Sequence, residues 1–230
     1  MTPVYAHRGA SAEYPENTLA AFRRALELHT EGIELDVHLS ADGVPVVIHD
    51  LNVDRTTDGS GLVSEMTFDE LQSLDAGQGE KIPALGQVLD LVGDRPHVDI
   101  EVKANEAGEA VLRELQGRNT RWLISSFDWD VLHYVRRQDA DAVLWPLTIA
   151  ATDEAINVAR DLGAPALAIL HKAIDQDIVE HLKEQGLDFW VWTVNDPEQA
   201  RIYAEWGAIG ICTDDPAAIQ QGLGERHPRT

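Results

Sequence analysis

A single cysteine, Cys212, excludes an intrachain disulfide and a thiolate metal cluster. Basic residues are scarce: 18 Lys plus Arg stand against 40 Asp plus Glu, a formal net charge of −22 over 230 residues. That balance excludes a nucleic-acid binder working by broad phosphate neutralisation and disfavours docking on an anionic membrane. No uninterrupted apolar run is long enough to span a bilayer, so no stable membrane insertion is expected. The stretch from Met1 to His7 has neither a basic start nor an apolar core, so no secretory signal is read there, and a soluble cytoplasmic protein is expected. Low-complexity linkers are missing too. What is present is a 44% hydrophobic fraction, enough for a sizeable core. The length suits one α/β barrel, and residues 1–230 are expected to form one domain.

Short apolar runs alternate with stretches of helical period. The runs cover residues 4–6, 33–37, 98–102, 122–126, 142–147, 166–170, 189–194 and 209–212. Helical stretches include 18–28, 109–116, 130–137, 153–162, 177–185 and 197–206. Strands separated by helices predict βαβ units and a parallel sheet, and eight of them predict a (β/α)8 TIM barrel. An open doubly wound sheet is the alternative, but no Gly-rich dinucleotide loop follows the first strand. Residues 44–49 form an extra run directly after the second strand, across Ser40-Ala41-Asp42-Gly43, whose Asp-Gly pair favours a tight reversal. An antiparallel hairpin is therefore expected, with His49 across from Asp36. Residues 51–81 then read as a loop or small insertion, either decorative or a wall of the functional site, so that the whole insertion covers roughly 40–81. No exposed apolar stripe is read in 51–81.

Functional groups of such a barrel gather at the C-terminal ends of its strands. Those ends carry His7-Arg8-Gly9, the same-face pair Glu34 and Asp36, the same-face pair Glu101 and Lys103, Trp192-Thr193-Val194-Asn195 and Thr213-Asp214-Asp215. The hairpin adds His49. Three clustered carboxylates raise one another's pKa unless a cation joins them, and oxygen ligands select a hard ion, Mg2+ or Ca2+. Such an ion beside Arg8 and Lys103 suits a bound phosphate. Two histidines can act as base and acid on opposite sides of phosphorus, so metal-assisted phosphodiester cleavage is the reaction class read here. Trp192, Phe127 and Trp145 are candidates to line the pocket with aromatic faces.

These residues also resemble the glycerophosphodiester phosphodiesterase family. The resemblance runs through Ala6-His7-Arg8-Gly9, Pro15-Glu16-Asn17-Thr18, Ile33-Glu34-Leu35-Asp36-Val37, Asp42-Gly43 and Val47-Ile48-His49-Asp50. It continues in Asp54-Arg55-Thr56-Thr57-Asp58-Gly59-Ser60-Gly61, Ile82-Pro83 and Ile100-Glu101-Val102-Lys103, and thins after about residue 130. It implies a barrel with a hairpin-like insertion, one divalent cation held by Glu34, Asp36 and Glu101, His7 and His49 as the acid–base pair, and Arg8 and Lys103 on phosphate. The implied reaction cleaves glycerophosphodiesters such as glycerophosphocholine or glycerophosphoethanolamine to sn-glycerol 3-phosphate and an alcohol, through a cyclic phosphate. The resemblance leaves open which histidine is base, the head group, the ion and the oligomeric state.

Rival functions would need a different set of residues. Lysophospholipase D-type cleavage of lysophospholipids uses the same fold but wants an apolar groove. A Mg2+-dependent isomerase or lyase would not need paired histidines. A non-catalytic barrel would lack one of the histidines or ligand carboxylates, and all are present. His29, His97, His133, His181 and His227 read as surface or helix residues, and His38 as a polar hairpin position. Lys172 stays open between substrate phosphate and solvent. Trp122, Trp129 and Trp206 read as packing, and Cys212 as a small buried hydrophobe. Asn17 and Thr18 read as caps of the first helix, with orientation of a catalytic group as a second reading for Asn17.

Overall fold

The computed structural model describes residues 2–224, so Met1 and His227 lie outside the described residues. Within them the apolar runs become strands β1 (Val4–His7), β2 (Gly32–Leu39), β3 (Pro45–Val47), β4 (His97–Val102), β5 (Arg121–Ser126), β6 (Leu144–Thr148), β7 (Ala166–Leu170), β8 (Asp188–Trp192) and β9 (Ile211–Thr213). All except β3 are parallel and follow one another in the order β1-β9-β8-β7-β6-β5-β4-β2, and β1 pairs with β2 to close the ring. The fold is a closed (β/α)8 barrel. Outside it lie α1 (Leu19–Glu27), α2 (Phe68–Ser73), α3 (Leu85–Val92), α4 (Ala107–Leu115), α5 (Trp129–Gln138), α6 (Asp153–Asp161), α7 (Gln176–Glu184), α8 (Pro197–Trp206) and α9 (Pro216–Gly224). No helix among the described residues is long and apolar enough to cross a membrane.

Local chemistry sets the helix ends. Asp196 caps α8 by accepting from the Glu198 N–H, Pro197 supplies a preset φ in the first turn, and Gly207 ends the helix at φ 96°. Thr18 caps α1 through the Ala21 N–H, as read from the sequence, whereas Asn17 turns into the barrel.

The bottom of the barrel is filled by aromatic rings. Tyr5, Trp145 and Trp190 lie 5.4–6.0 Å apart, centroid to centroid, and each is almost fully buried. Burying rings of this size contributes on the order of 4–6 kcal/mol apiece against an extended chain. Two glycines make the room: a Cβ at Gly32 would stand 2.2 Å from the Tyr5 ring, and one at Gly210 would stand 2.4 Å from Trp190. Trp145 is therefore part of this plug and not a wall of the open cavity; Trp190, on the same strand face as Trp192, reaches the cavity instead. His97 also departs from expectation, since it opens β4 and its Nδ1 lies 3.3 Å from the Tyr5 hydroxyl.

Strand β2 outruns β1. It pairs with β1 up to Glu34 and with β3 from Val37 to Leu39. The hairpin register differs by one residue from the expected one. The Ile48 N–H donates to the Asp36 carbonyl, so Ile48 and not His49 stands across from Asp36. The cause is the turn: the Ser40 N–H donates to Val44 O, and Gly43, at φ 80°, donates back to Ser40 O. Three residues rather than two thus occupy the loop. Residues 51–81 are also more than a loop. They hold a 3-10 turn (Val63–Glu65), α2 with a Thr67/Glu70 capping box, and Val53, Val63, Leu71 and Ala76, which pack with Val46 and Ile48 of the hairpin and with Ile82 into a separate small core. Leu51 and Leu62 are exposed on this lobe, a pair rather than a stripe.

Candidate active site

The barrel mouth holds a cleft of about 100 Å³. His7, Arg8, Glu34, His49, Glu101 and Lys103 line it, with Phe127 and Trp192 as its aromatic side. A larger groove elsewhere, between α4 and α5, carries no such cluster, and its Glu109 and Arg113 pair with each other.

Each polar group is placed by its strand. Strand β1 delivers His7 and then turns left-handed at Arg8, φ 57°, a conformation that costs a non-glycine residue on the order of 1 kcal/mol. The turn is held because the Arg8 N–H is shared between the Glu34 carbonyl and Glu34 Oε2, both at 3.0 Å. Strand β2 aligns Glu34 and Asp36 on one face, and β4 sets Glu101 beside Asp36 in register. One oxygen from each of Glu34, Asp36 and Glu101 lies within 4.8 Å of the others, and all three residues are buried. Asp36 is the hub. Its Oδ1 is 2.8 Å from Lys103 Nζ, its Oδ2 is 3.1 Å from Arg8 Nε, and the Asn17 amide donates to Oδ2 at 2.8 Å. Lys103 also bonds Glu101 Oε1 at 2.5 Å.

Electrostatics follow from crowding. Burial, then Asp36, Asp99 and Glu101, push the Glu34 carboxyl well up. Burial and Asp36 push Glu101 up to about 7. Burial acts on Asp36 as well, but Lys103 and Arg8 overrule it and hold the group below the usual carboxylate range. The neighbouring carboxylates keep the Lys103 ammonium charged despite burial. Three buried carboxyls, two of them raised, form an oxygen donor set that a hard divalent cation fits, because its charge removes their mutual repulsion.

The two histidines are built alike. His7 Nδ1 lies 2.6 Å from Asp214 Oδ1, and His49 Nδ1 lies 2.6 Å from Asp50 Oδ1. A carboxylate on Nδ1 fixes the tautomer and leaves Nε2 for the reaction. His7 Nε2 is 4.0 Å from Glu34 Oε2. Burial, with Lys103 and Arg8, lowers the His49 pKa although Asp36 and Asp50 oppose them.

A glycerophosphoryl diester phosphodiesterase family profile matches residues 7–218. The chain belongs to that family. It is an enzyme, a phosphoric diester hydrolase. A member of the family from Caldanaerobacter subterraneus subsp. tengcongensis, a glycerophosphodiester phosphodiesterase, is 38% identical over 95% of this chain and 96% of its own. Among solved structures, an Oleispira antarctica phosphodiesterase in complex with the product sn-glycerol-3-phosphate superposes with a TM-score of 0.93 at 29% identity, over 98% of both chains. The family member from Thermotoga maritima gives 0.83 at 30% identity, covering 96% of this chain and 98% of its own.

The cleft brings together His7, Arg8, Glu34, His49, Glu101, Lys103, Phe127 and Trp192, with Asp36 held behind them by Arg8 and Lys103, whereas Trp145 stays in the plug. The sequence places Asp214 at the mouth without a role, and it gives Asp50, Glu16, Arg55 and Asp99 none. Asp99 is fully buried, accepts from Ser125 Oγ at 2.6 Å and lines the cleft. The same period-two alternation that pairs Glu34 with Asp36 pairs Asp99 with Glu101, so a sequence signal for it existed. His38, which the sequence offers as a pocket-edge or a polar hairpin residue, sits on the hairpin with its Nε2 3.0 Å from the His49 carbonyl oxygen. Lys172 is exposed in a 3-10 turn after β7 and does not line the cleft. Cys212 is buried at the cleft floor with its thiol pKa pushed up by burial, in keeping with a packing role.

Proposed function

We propose that this enzyme hydrolyses glycerophosphodiesters to sn-glycerol 3-phosphate and an alcohol, by acid–base catalysis shared between His7 and His49. The observation that carries the reading is the pair of Asp-backed imidazoles, His7–Asp214 and His49–Asp50, opening on one cleft with the Glu34/Asp36/Glu101 cluster and with Arg8 and Lys103. One of the imidazoles takes the proton of the glycerol 2-hydroxyl, whose oxygen attacks phosphorus, and the other gives a proton to the departing alcohol oxygen. The bond to that alcohol breaks as the new P–O bond closes a cyclic phosphate. Water then opens the ring with the two roles reversed. An attacking hydroxyl within the substrate has a large proximity advantage over bulk water. Arg8 and Lys103 hold the non-bridging oxygens and stabilise charge that builds there. A divalent cation, Mg2+ or Ca2+, held by Glu34, Asp36 and Glu101 would neutralise phosphate charge beside them. Phe127 and Trp192, edge to face at 5.5 Å, offer aromatic surface to glycerol or a cationic head group such as choline. We place the activity in the cytoplasm, on small-molecule diesters.

The test is release of glycerol 3-phosphate from glycerophosphocholine, in chelator and then with added Mg2+, Ca2+ or Mn2+. Cation-dependent release is expected. No release from glycerophosphocholine, with lysophosphatidylcholine cleaved to lysophosphatidate and choline instead, would move the assignment to lysophospholipids.

A further inference from the structure

Arg55 belongs to the insertion, in the Asp54–Asp58 segment between β3 and α2, and its guanidinium is shared by two carboxylates. Nε donates to Asp50 Oδ2 at 2.7 Å and Nη2 to Asp50 Oδ1 at 3.1 Å. Nη1 and Nη2 donate to Glu16 Oε2 and Oε1, both at 2.8 Å. Asp50 is the partner of His49 Nδ1, and Glu16 Oε1 also accepts from Arg8 Nη1 at 2.9 Å. Charges therefore alternate without a break from His49 through Asp50, Arg55, Glu16 and Arg8 to Asp36. The Arg55 bonds are the main reason the Asp50 carboxyl sits below its usual range.

We propose that Arg55 is a positioning residue for diester cleavage: through Asp50 it fixes the His49 ring, and through Glu16 the Arg8 guanidinium. One side chain of the insertion thus sets an acid–base group and a phosphate-binding group relative to each other. The inference rests on the roles proposed above for His49 and Arg8. A structural role alone explains the geometry poorly. The Arg55 side chain is 47% exposed, and solvent screening leaves such ion pairs little weight in stability. Two bidentate forks on one planar group instead suit orientation, and no lysine ammonium reproduces them.

The pH dependence has a defined sign. His49 faces Asp36 and His38 from β2, Lys103 from β4, Arg8 from β1 and Asp50 from its own segment. Removing Arg55 takes a cation away from Asp50 and frees that carboxylate for the protonated imidazole. The limb of the pH–rate profile governed by His49 then moves to higher pH.

The experiment measures kcat and KM for glycerophosphocholine with saturating divalent cation, from pH 5.5 to 9, in wild type, Arg55→Gln and Arg55→Lys, with Arg113→Gln on α4 as control and thermal unfolding as a check of fold. Arg55→Gln should lose at least about tenfold in kcat/KM, from misplacement of reacting groups, and its limb should rise by about 0.3 pH unit or more. Arg55→Lys should recover less than half of the loss, and Arg113→Gln should match wild type. Activity of Arg55→Gln within twofold of wild type overturns the inference, as does an equal fall at every pH, the mark of less folded enzyme. A wild type that cleaves no glycerophosphodiester overturns the functional reading and this inference with it; an active wild type with an indifferent Arg55 overturns the inference alone.

Discussion

His7 and Asp214 are 207 positions apart in sequence and 2.6 Å apart in space. The contact exists because β9 lies beside β1 in the closed ring, so the last strand hands its following aspartate to the histidine that ends the first. Asp214 is itself fixed, by the Ser11 hydroxyl at 3.1 Å and the Asn195 amide at 2.6 Å. Burial works against its ionisation, yet the His7 bond and these donors bring its pKa down to about 2. At any working pH it is a carboxylate aimed at Nδ1, and that orientation makes Nε2 the reacting nitrogen.

Asp214→Asn tests this arrangement. The amide keeps the shape but removes the charge that holds the tautomer and stabilises the protonated ring. We expect kcat to fall at least about a hundredfold, with KM within about threefold, because the loss falls on proton transfer and not on binding. Steady-state kinetics on folded protein decides it, and a kcat within threefold of wild type would exclude the role.

Asp50→Asn should displace the pH profile. Burial lowers the His49 pKa, and Lys103 and Arg8 add to that, while Asp36 and the Asp50 hydrogen bond raise it. With the carboxylate gone the imidazolium loses a partner, so the neutral ring persists to lower pH. The limb set by His49 should therefore move down by about 0.3 unit or more, opposite to the Arg55→Gln shift. A pH–rate profile of kcat/KM reads the sign directly; an upward move contradicts the pairing.

The barrel and its inner polar set were legible because both follow from alternation. Strand period two puts Glu34 with Asp36 and Glu101 with Lys103, and barrel geometry sends strand ends to one mouth. Contacts that depend on closure or on folded loops were not. Asp214 meets His7 only through the β1–β9 neighbourhood. Arg55 meets Glu16 only once residues 51–81 fold against the hairpin, and Val53, Val63, Leu71 and Ala76, which do so, have no strand or helix period. The hairpin register slipped because a single extra loop residue moves every cross-strand pair. Trp190 and Asp99 were readable and overlooked: each lies two residues before a residue already placed at the mouth, Trp192 and Glu101.

Glu34→Gln separates cation binding from folding, because the two should change in opposite directions. Burial and the charges of Asp36, Asp99 and Glu101 disfavour the Glu34 carboxylate. Gln removes a buried like charge, so in chelator near neutral pH the variant should melt above wild type. It also weakens one of three oxygen ligands, and Mg2+ or Ca2+ affinity should drop at least about tenfold. Calorimetric titration and thermal melts with and without cation report both. A variant that binds the ion as tightly as wild type would remove Glu34 from the ligand set.

Asp99→Asn should change stability with a pH dependence of known sign. Burial, with Glu101 and Asp36, pushes the Asp99 pKa up to about 8 although Ser125 donates to it. The folded state therefore holds a proton that the unfolded chain has released above the ordinary aspartate pKa of about 4. Where the unfolded state binds fewer protons, stability falls as pH rises, so Asp99 costs stability progressively between about pH 4 and pH 8. Asn fills the same space, accepts from Ser125 and is neutral throughout, so it escapes that cost. In chelator the two proteins should melt within about 1 °C of each other at pH 4.5, and the variant should melt at least about 3 °C higher at pH 8.5. A gap that stays constant across that range would mean that Asp99 ionises in the folded barrel as easily as in the unfolded chain.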